Sequence, residues 1–282
     1  MSYLEKKWIW PTVLFLIACQ LLAQGTTVPP PKTEAEVREL MKLTSNLHII
    51  PPGVSPELFK SLLEIGEMII YYDHLPEIPW MTTAGILVNV PVEQVFSVLT
   101  DYPHYKDFVP LTEGAEVFKI QGDFIRVDFH LKVQMSILHY RMDYGVYHYD
   151  QFPYRTEWAH AWGEFGVNSG FAEIIPSSDG KQTMFFYSAY SKPASSFLKT
   201  IYATEPSLEM LTSLSAATMF TRAIKSESEK RFAAAGGKML SPSAPKPILE
   251  VLSRDPAGLK KILEQGNLVI LEDGPTVYAI SV

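Results

Sequence analysis

In the stretch Phe124-Ile125-Arg126-Val127-Asp128-Phe129-His130-Leu131-Lys132-Val133-Gln134-Met135, alternation is strict from Ile125 onward. Ile125, Val127, Phe129, Leu131, Val133 and Met135 take one phase, and Arg126, Asp128, His130, Lys132 and Gln134 take the other. Successive side chains of a strand point to opposite faces of its sheet, so this is a strand with one apolar face and one polar face. Such strands belong to antiparallel sheets covered on one side and wet on the other.

Working outward, strands are expected at Gly85 to Val90, Ala115 to Ile120, His139 to Tyr149, Tyr154 to Ala161, Phe171 to Ile175 and Thr183 to Tyr190. Turn chemistry separates them at Gln121-Gly122-Asp123, Phe152-Pro153 and Ser178-Asp179-Gly180. Val92 to Thr100 is a short helix broken at Asp101-Tyr102-Pro103, and Tyr105 to Val109 is a second helical piece. The cover is a long helix ending near Phe232, whose Met210, Leu214, Ala217, Phe220 and Ile224 form one stripe.

Outside this block lie two related arms. Ser55-Pro56-Glu57-Leu58-Phe59-Lys60-Ser61-Leu62-Leu63-Glu64-Ile65-Gly66 aligns without gaps to Asp255-Pro256-Ala257-Gly258-Leu259-Lys260-Lys261-Ile262-Leu263-Glu264-Gln265-Gly266. Duplication and convergence both explain the match, and both predict a capped helix, a Gly stop and a strand. Thr33 to Leu43 adds an amphipathic helix at the front.

Residues 1–25 read as a secretory leader, with Lys6 and Lys7 ahead of an apolar run from Trp8 and small residues after it. That run is short for a membrane span. Leu16-Ile17-Ala18-Cys19 resembles a bacterial lipobox, which would lipidate Cys19; cleavage after Ala23-Gln24-Gly25 is the rival. Either way the expectation is an exported protein, periplasmic or an outer-membrane lipoprotein, with the membrane as a partner only if Cys19 is lipidated. Pro29-Pro30-Pro31 then forms an extended spacer.

Composition sets the outer bounds. The 282 residues are 47% hydrophobic and 20% charged, the balance of a chain with a core. Cys19 is the sole cysteine, which excludes an intramolecular disulfide and a Cys-based metal site. A net charge of −7 gives no general attraction for phosphate backbones, so no nucleic-acid partner is expected.

Gly85-Ile86-Leu87-Val88-Asn89-Val90-Pro91-Val92-Glu93-Gln94-Val95-Phe96-Ser97-Val98-Leu99-Thr100-Asp101-Tyr102-Pro103 is followed by Phe108-Val109-Pro110, then by Gly170-Phe171-Ala172-Glu173-Ile174-Ile175-Pro176. In that order these motifs resemble the START-like polyketide cyclase/dehydrase and lipid-transport superfamily, close to its coenzyme Q-binding branch. The resemblance implies an α+β helix-grip fold, an antiparallel sheet wrapped around a long C-terminal helix. It also implies a cavity between them for a lipid, sterol, quinone or polyketide. The chain then divides into a leader (1–25), a linker and helical arm (26–80), a START-like ligand-binding domain (81–235), and a second linker and helix-strand arm (236–282).

The strand phases facing that cavity offer Phe129, Leu131, Val133, Tyr140, Met142, Tyr144, Trp158, His160 and Trp162, and the helix offers Leu214, Ala217 and Phe220. Large aromatics with polar tips suit an apolar ligand with one polar end, and the same residues would also serve to fill a core. Tyr140, Tyr144, Trp158 and His160 are expected to orient the polar end. Access would run past the Gly163 to Gly170 loop and the Lys192 to Ser196 segment.

No phosphate-binding, zinc-protease or nucleophile-elbow motif is present, and no cofactor or metal is expected. Arg126, Asp128, Arg141, Asp143, Arg155 and Glu157 read as surface ion pairs on the solvated face. His130 and His139 fall on that polar phase, His148 and His160 on the apolar one. The leading functional expectation is an exported carrier of a hydrophobic small molecule. The alternatives are a cyclase or aromatase using the same cavity, with Tyr144 and His160 moving a proton, and an envelope interaction module with a filled core.

Overall fold

Local chemistry sets the first elements of the computed structural model, which describes residues 28–30, 32–72, 78, 80–135, 138–205, 207–240, 247–272 and 277–280. The leader reading and Cys19 lie outside the described residues. Thr33 and Glu36 close a reciprocal capping box that starts α1 (Glu34–Met41). Ser55 caps α2 (Pro56–Leu63), which leads into β1 (Gly66–Tyr72) and β2 (Met81–Val88). Then come α3 (Val92–Leu99), a 3-10 turn (Tyr102–His104) and α4 (Tyr105–Phe108).

Six strands follow: β3 (Thr112–Gln121), β4 (Phe124–Met135), β5 (Leu138–Gln151), β6 (Arg155–Gly163), β7 (Phe165–Pro176) and β8 (Thr183–Pro193). Helix α5 (Ser196–Thr204) precedes the long α6 (Ser207–Ala234), and the chain continues through α7 (Ile248–Arg254), α8 (Pro256–Leu263), β9 (Gly266–Glu272) and β10 (Val277–Ile280). The segment 163–170, expected as a loop, is strand on both sides of a bend at Glu164.

All strand pairs are antiparallel, in the order β10-β9-β1-β2-β8-β7-β6-β5-β4-β3. The protein is thus α+β, a large antiparallel sheet with a long helix lying against it. Packing of α6 is strongest on β2, α3 and β8. Its buried side is Ala217, Thr221, Ala223, Ile224 and Ser228. Met210, expected on that stripe, is 40% exposed, because the first turns of α6 extend beyond the packed part of the sheet.

The arms join the same sheet. The two copies keep identical bounds at an offset of 200, and β1 pairs with β9 so that Ile69 faces Val269. Equivalent positions facing each other place a local two-fold between the copies. Phe59, Leu62, Met68 and Ile70 of one share a core with Ile262, Leu268 and Ile270 of the other. Gly66 and Gly266 open their strands and are not left-handed helix caps, since neither has a positive φ.

The face of β4 to β7 turned away from α6 is not wet. Helix α1 and the segment after it lie across it, with Val37 and Met41 packed on Phe124, Tyr147 and Ala159. Arg38 stacks over Phe124 and Tyr149, at 4.6 and 5.2 Å from the ring centres. Arg126, Asp128, Arg155 and Glu157, expected as solvated pairs, are buried, together with Glu173; the segment after α1 covers Arg155 and Glu173 through Thr44, Leu47 and Ile49. The arm that covers them is remote in sequence, so alternation alone could not report it.

Candidate functional site: an apolar cavity with one polar corner

Between the sheet and α6 lies a cavity of about 180 Å³. Its floor is built by alternation. Phe129 and Leu131 of β4, Tyr144, Val146 and His148 of β5, and Trp158 of β6 point inward from neighbouring strands. Tyr187 of β8 stacks on Trp158 at 4.8 Å, and Phe220 of α6 closes on Tyr187 at 4.6 Å. Ala216 and Met219 complete the helix side. The front wall is Leu99, Tyr102 and Tyr105, followed by the segment from Val109 to Thr112.

Gly170 makes room for this wall. A Cβ there would collide with the Trp158 ring and the Ser188 carbonyl, so glycine lets β7 pass close beneath the indole. Trp158 is then tied by its Nε1–H to Asn168 Oδ1 at 3.1 Å.

One corner is polar. Tyr102 donates to Asp150 Oδ1 at 2.9 Å, and Thr156 donates to the same oxygen at 2.5 Å. His148 Nδ1 lies 3.2 Å from the Tyr102 oxygen and 3.5 Å from that of Thr156. His148 Nε2 is buried and has no partner. Burial pushes the His148 pKa down to about 3, which leaves the ring neutral at pH 7. Asp150 is raised by burial while the Thr156 and Tyr102 hydroxyls hold it down. Burial, with the Asp150 charge second, raises Tyr102 and Tyr105 far above the ordinary phenol value. Tyr144 and Tyr187 are raised mainly by burial. The phenols are therefore neutral hydrogen-bonding groups.

Of the expected site residues, the structure brings Phe129, Leu131, Tyr144, Trp158 and Phe220 together around the cavity. The side chain of Val133 lies outside those described. Tyr140 and Met142 stand beyond the cavity along β5; Tyr140 donates to Glu164 at 2.8 Å, and burial pushes its pKa up to about 12. His160 also falls outside the lining; its Nδ1 is buried without a partner, and burial lowers its pKa. Leu214 and Ala217 are not in the lining, which is offset around α6 to Ala216, Met219 and Phe220.

Trp162 corrects the expectation most sharply. In the β5–β6 register, Gly145 faces Trp162 and Val146 faces His160, so Ala161 is an extra residue that reverses the phase. Trp162 therefore turns to the α1 side, where its Nε1–H donates to Asp128 Oδ1 at 2.9 Å. Gly145 accommodates it, since a Cβ would strike both Trp162 and Asp128.

The sequence reading missed Tyr102, Tyr105 and His148. In sequence Tyr102 belongs to a helix break; in the fold Asp101-Tyr102-Pro103 turns the chain so that Tyr102 and Tyr105 face inward. His148 carried a usable signal, being in phase with Tyr144 and Val146. Among the described residues no group of three His, Cys, Asp or Glu is placed to hold a metal ion.

An antiparallel sheet gripped by one long helix, with an apolar cavity between them, defines a helix-grip protein. Residues 88–198 match the family model described as Polyketide cyclase / dehydrase and lipid transport. The fold is of the hydrophobic ligand-binding or cyclase/dehydrase type. No curated protein matches the chain in sequence. Similar solved structures include the Zhui aromatase/cyclase from Streptomyces sp. R1128, 20% identical with a TM-score of 0.46, covering 56% of this chain and 98% of that one. A STAR-related lipid transfer protein fragment from Xanthomonas axonopodis is 10% identical with a TM-score of 0.42, covering 57% and 93%. A START superfamily protein from Mycobacterium smegmatis is 14% identical with a TM-score of 0.39, covering 54% and 98%.

Proposed function

We propose that the protein binds and carries a hydrophobic small molecule between α6 and the sheet. The observation that carries this reading is the cavity of about 180 Å³ lined by aromatic and aliphatic side chains. An engineered apolar cavity of about 150 Å³ takes up benzene, so this one has room for a ring and a short substituent. Burying on the order of 150–200 Å² of apolar surface at about 25 cal/mol per Å² corresponds to about 4–5 kcal/mol, which sets an upper bound near sub-millimolar affinity for a one-ring probe. A longer cargo extends past Leu111 and Met219, which line the cavity and are 44% and 38% exposed.

The carrier reading is favoured over a proton-moving enzyme by the state of the polar corner. A histidine held near pKa 3 is a weak base at neutral pH, where catalysis wants a value close to the working pH. We read residues 1–25 as an export leader, with Cys19 as a lipid anchor if the lipobox is used. A Cys19→Ala variant that still partitions into membranes would remove the anchor from this account.

The cavity is tested by titrating propylbenzene into the protein and into Ala216→Trp, whose indole fills the helix side. Saturable 1:1 binding that disappears in the variant supports the proposal. Equal binding in both, or none in either, refutes it.

A further inference from the structure

The hydrogen-bond direction in the polar corner is fixed by Asp150. As a carboxylate it only accepts, and its Oδ1 takes the protons of both Tyr102 and Thr156. Each hydroxyl has a single proton, so the oxygens that face His148 have only lone pairs left to offer. Nδ1 must therefore carry the ring proton and donate to the Tyr102 oxygen at 3.2 Å. A neutral imidazole has one N–H, which leaves Nε2 as a bare acceptor. That atom is buried without a partner, on a residue that lines the cavity and is 7% exposed. An unpaired buried acceptor is unfavourable, and a ligand that donates to it relieves the penalty.

We propose that the cargo carries a hydrogen-bond donor at its polar end, a hydroxyl or phenol that bonds to His148 Nε2, and that molecules ending only in carbonyl, ether or ester oxygens are discriminated against. Asp150, Tyr102 and Thr156 act as positioning residues that set the tautomer. The surrounding wall of Phe129, Trp158 and Tyr187 supplies apolar contact around the donor. Among redox-active ring compounds, this selects the reduced hydroxyl form over the oxidised carbonyl form. The inference rests on the cavity being a ligand site, as proposed above.

The test uses three matched probes, 4-propylphenol, 4-propylanisole and propylbenzene, titrated into the full chain by calorimetry. The phenol is expected to bind about tenfold tighter than propylbenzene, the anisole no tighter than propylbenzene, and His148→Phe to abolish the preference while still binding propylbenzene. If propylbenzene binds and the phenol shows no preference, the donor inference is overturned and the cavity reading stands. If no probe binds, the cavity reading itself falls and the inference falls with it. A long-range ¹H–¹⁵N NMR spectrum of the wild-type protein supplies a readout independent of any variant. The Nδ1–H pattern for His148 is expected, and the Nε2–H pattern would overturn the argument.

Discussion

Replacing Arg155 by Met tests how the second face of the sheet is held. The guanidinium donates to Glu157 at 2.9 Å, to Glu173 at 2.6 Å, and to the carbonyls of Leu47 and Thr44 at 3.0 Å each. It also stacks over Phe171 at 4.3 Å. The side chains of Glu157 and Glu173 are only 5% and 9% exposed, so methionine would leave two carboxylates buried without their cation. Glu173 would keep the Ile49 N–H and His48, and Glu157 would keep Gln151. Breaking a buried pair by removing one partner costs about 3–5 kcal/mol. With a urea m value on the order of 3 kcal/mol/M, the midpoint should fall by about 1–1.7 M. Tryptophan fluorescence in urea reads this directly. The triple variant Arg155→Met, Glu157→Gln, Glu173→Gln should recover at least half of the loss, because the stranded charges are gone. A midpoint shift below about 0.3 M for the single variant would show that these groups are hydrated, and the covered second face would be wrong.

Three further outcomes follow from the structure. Gly170→Ala drives a methyl into Trp158 and the Ser188 carbonyl, and should destabilise by about 2–3 kcal/mol and weaken probe binding; unchanged stability in urea would contradict the close approach. His148 has a folded pKa of about 3, below its ordinary 6.5, so the unfolded chain binds the proton more readily. Its contribution is complete above pH 6.5 and is lost as pH falls toward 3, by up to about 1.4 kcal/mol per pH unit. His148→Phe should remove that component, and identical pH slopes for variant and wild type would refute a buried neutral ring. Gly145→Ala displaces Trp162 from Asp128 and should quench or shift tryptophan emission while destabilising the fold; wild-type emission and stability would argue against the reversed phase at Ala161.

Much of the architecture was legible because its signals are local. The period of two from Ile125 to Met135, the Ser55-Pro56 and Asp255-Pro256 helix starts, and the Asp-Gly hairpin at Ser178-Asp179-Gly180 each act through neighbours in sequence. The arms were legible as copies, although nothing in either copy reports that they pair with each other across Ile69 and Val269. What escaped was set by contacts remote in sequence. Arg155 looks like a surface charge until the segment after α1 lays the Thr44 and Leu47 carbonyls on it, and Trp162 keeps the phase of Trp158 until one extra residue at Ala161 turns it over onto Asp128. The front wall of the cavity was likewise hidden. Tyr102 sits in a helix break and Tyr105 opens a helix of four residues, too short for a period to be read, and only the tertiary turn aims them at Phe129 and His148.

The central claim is that the space between α6 and the sheet holds an apolar molecule in the protein's own host. Native mass spectrometry of protein purified from that host, with organic extraction of the same sample, measures this most directly. The account predicts a 1:1 apolar adduct bearing a hydroxyl, present in wild type and absent from Ala216→Trp. Repeated recovery of bare wild-type protein, or the same adduct on the filled variant, would contradict it.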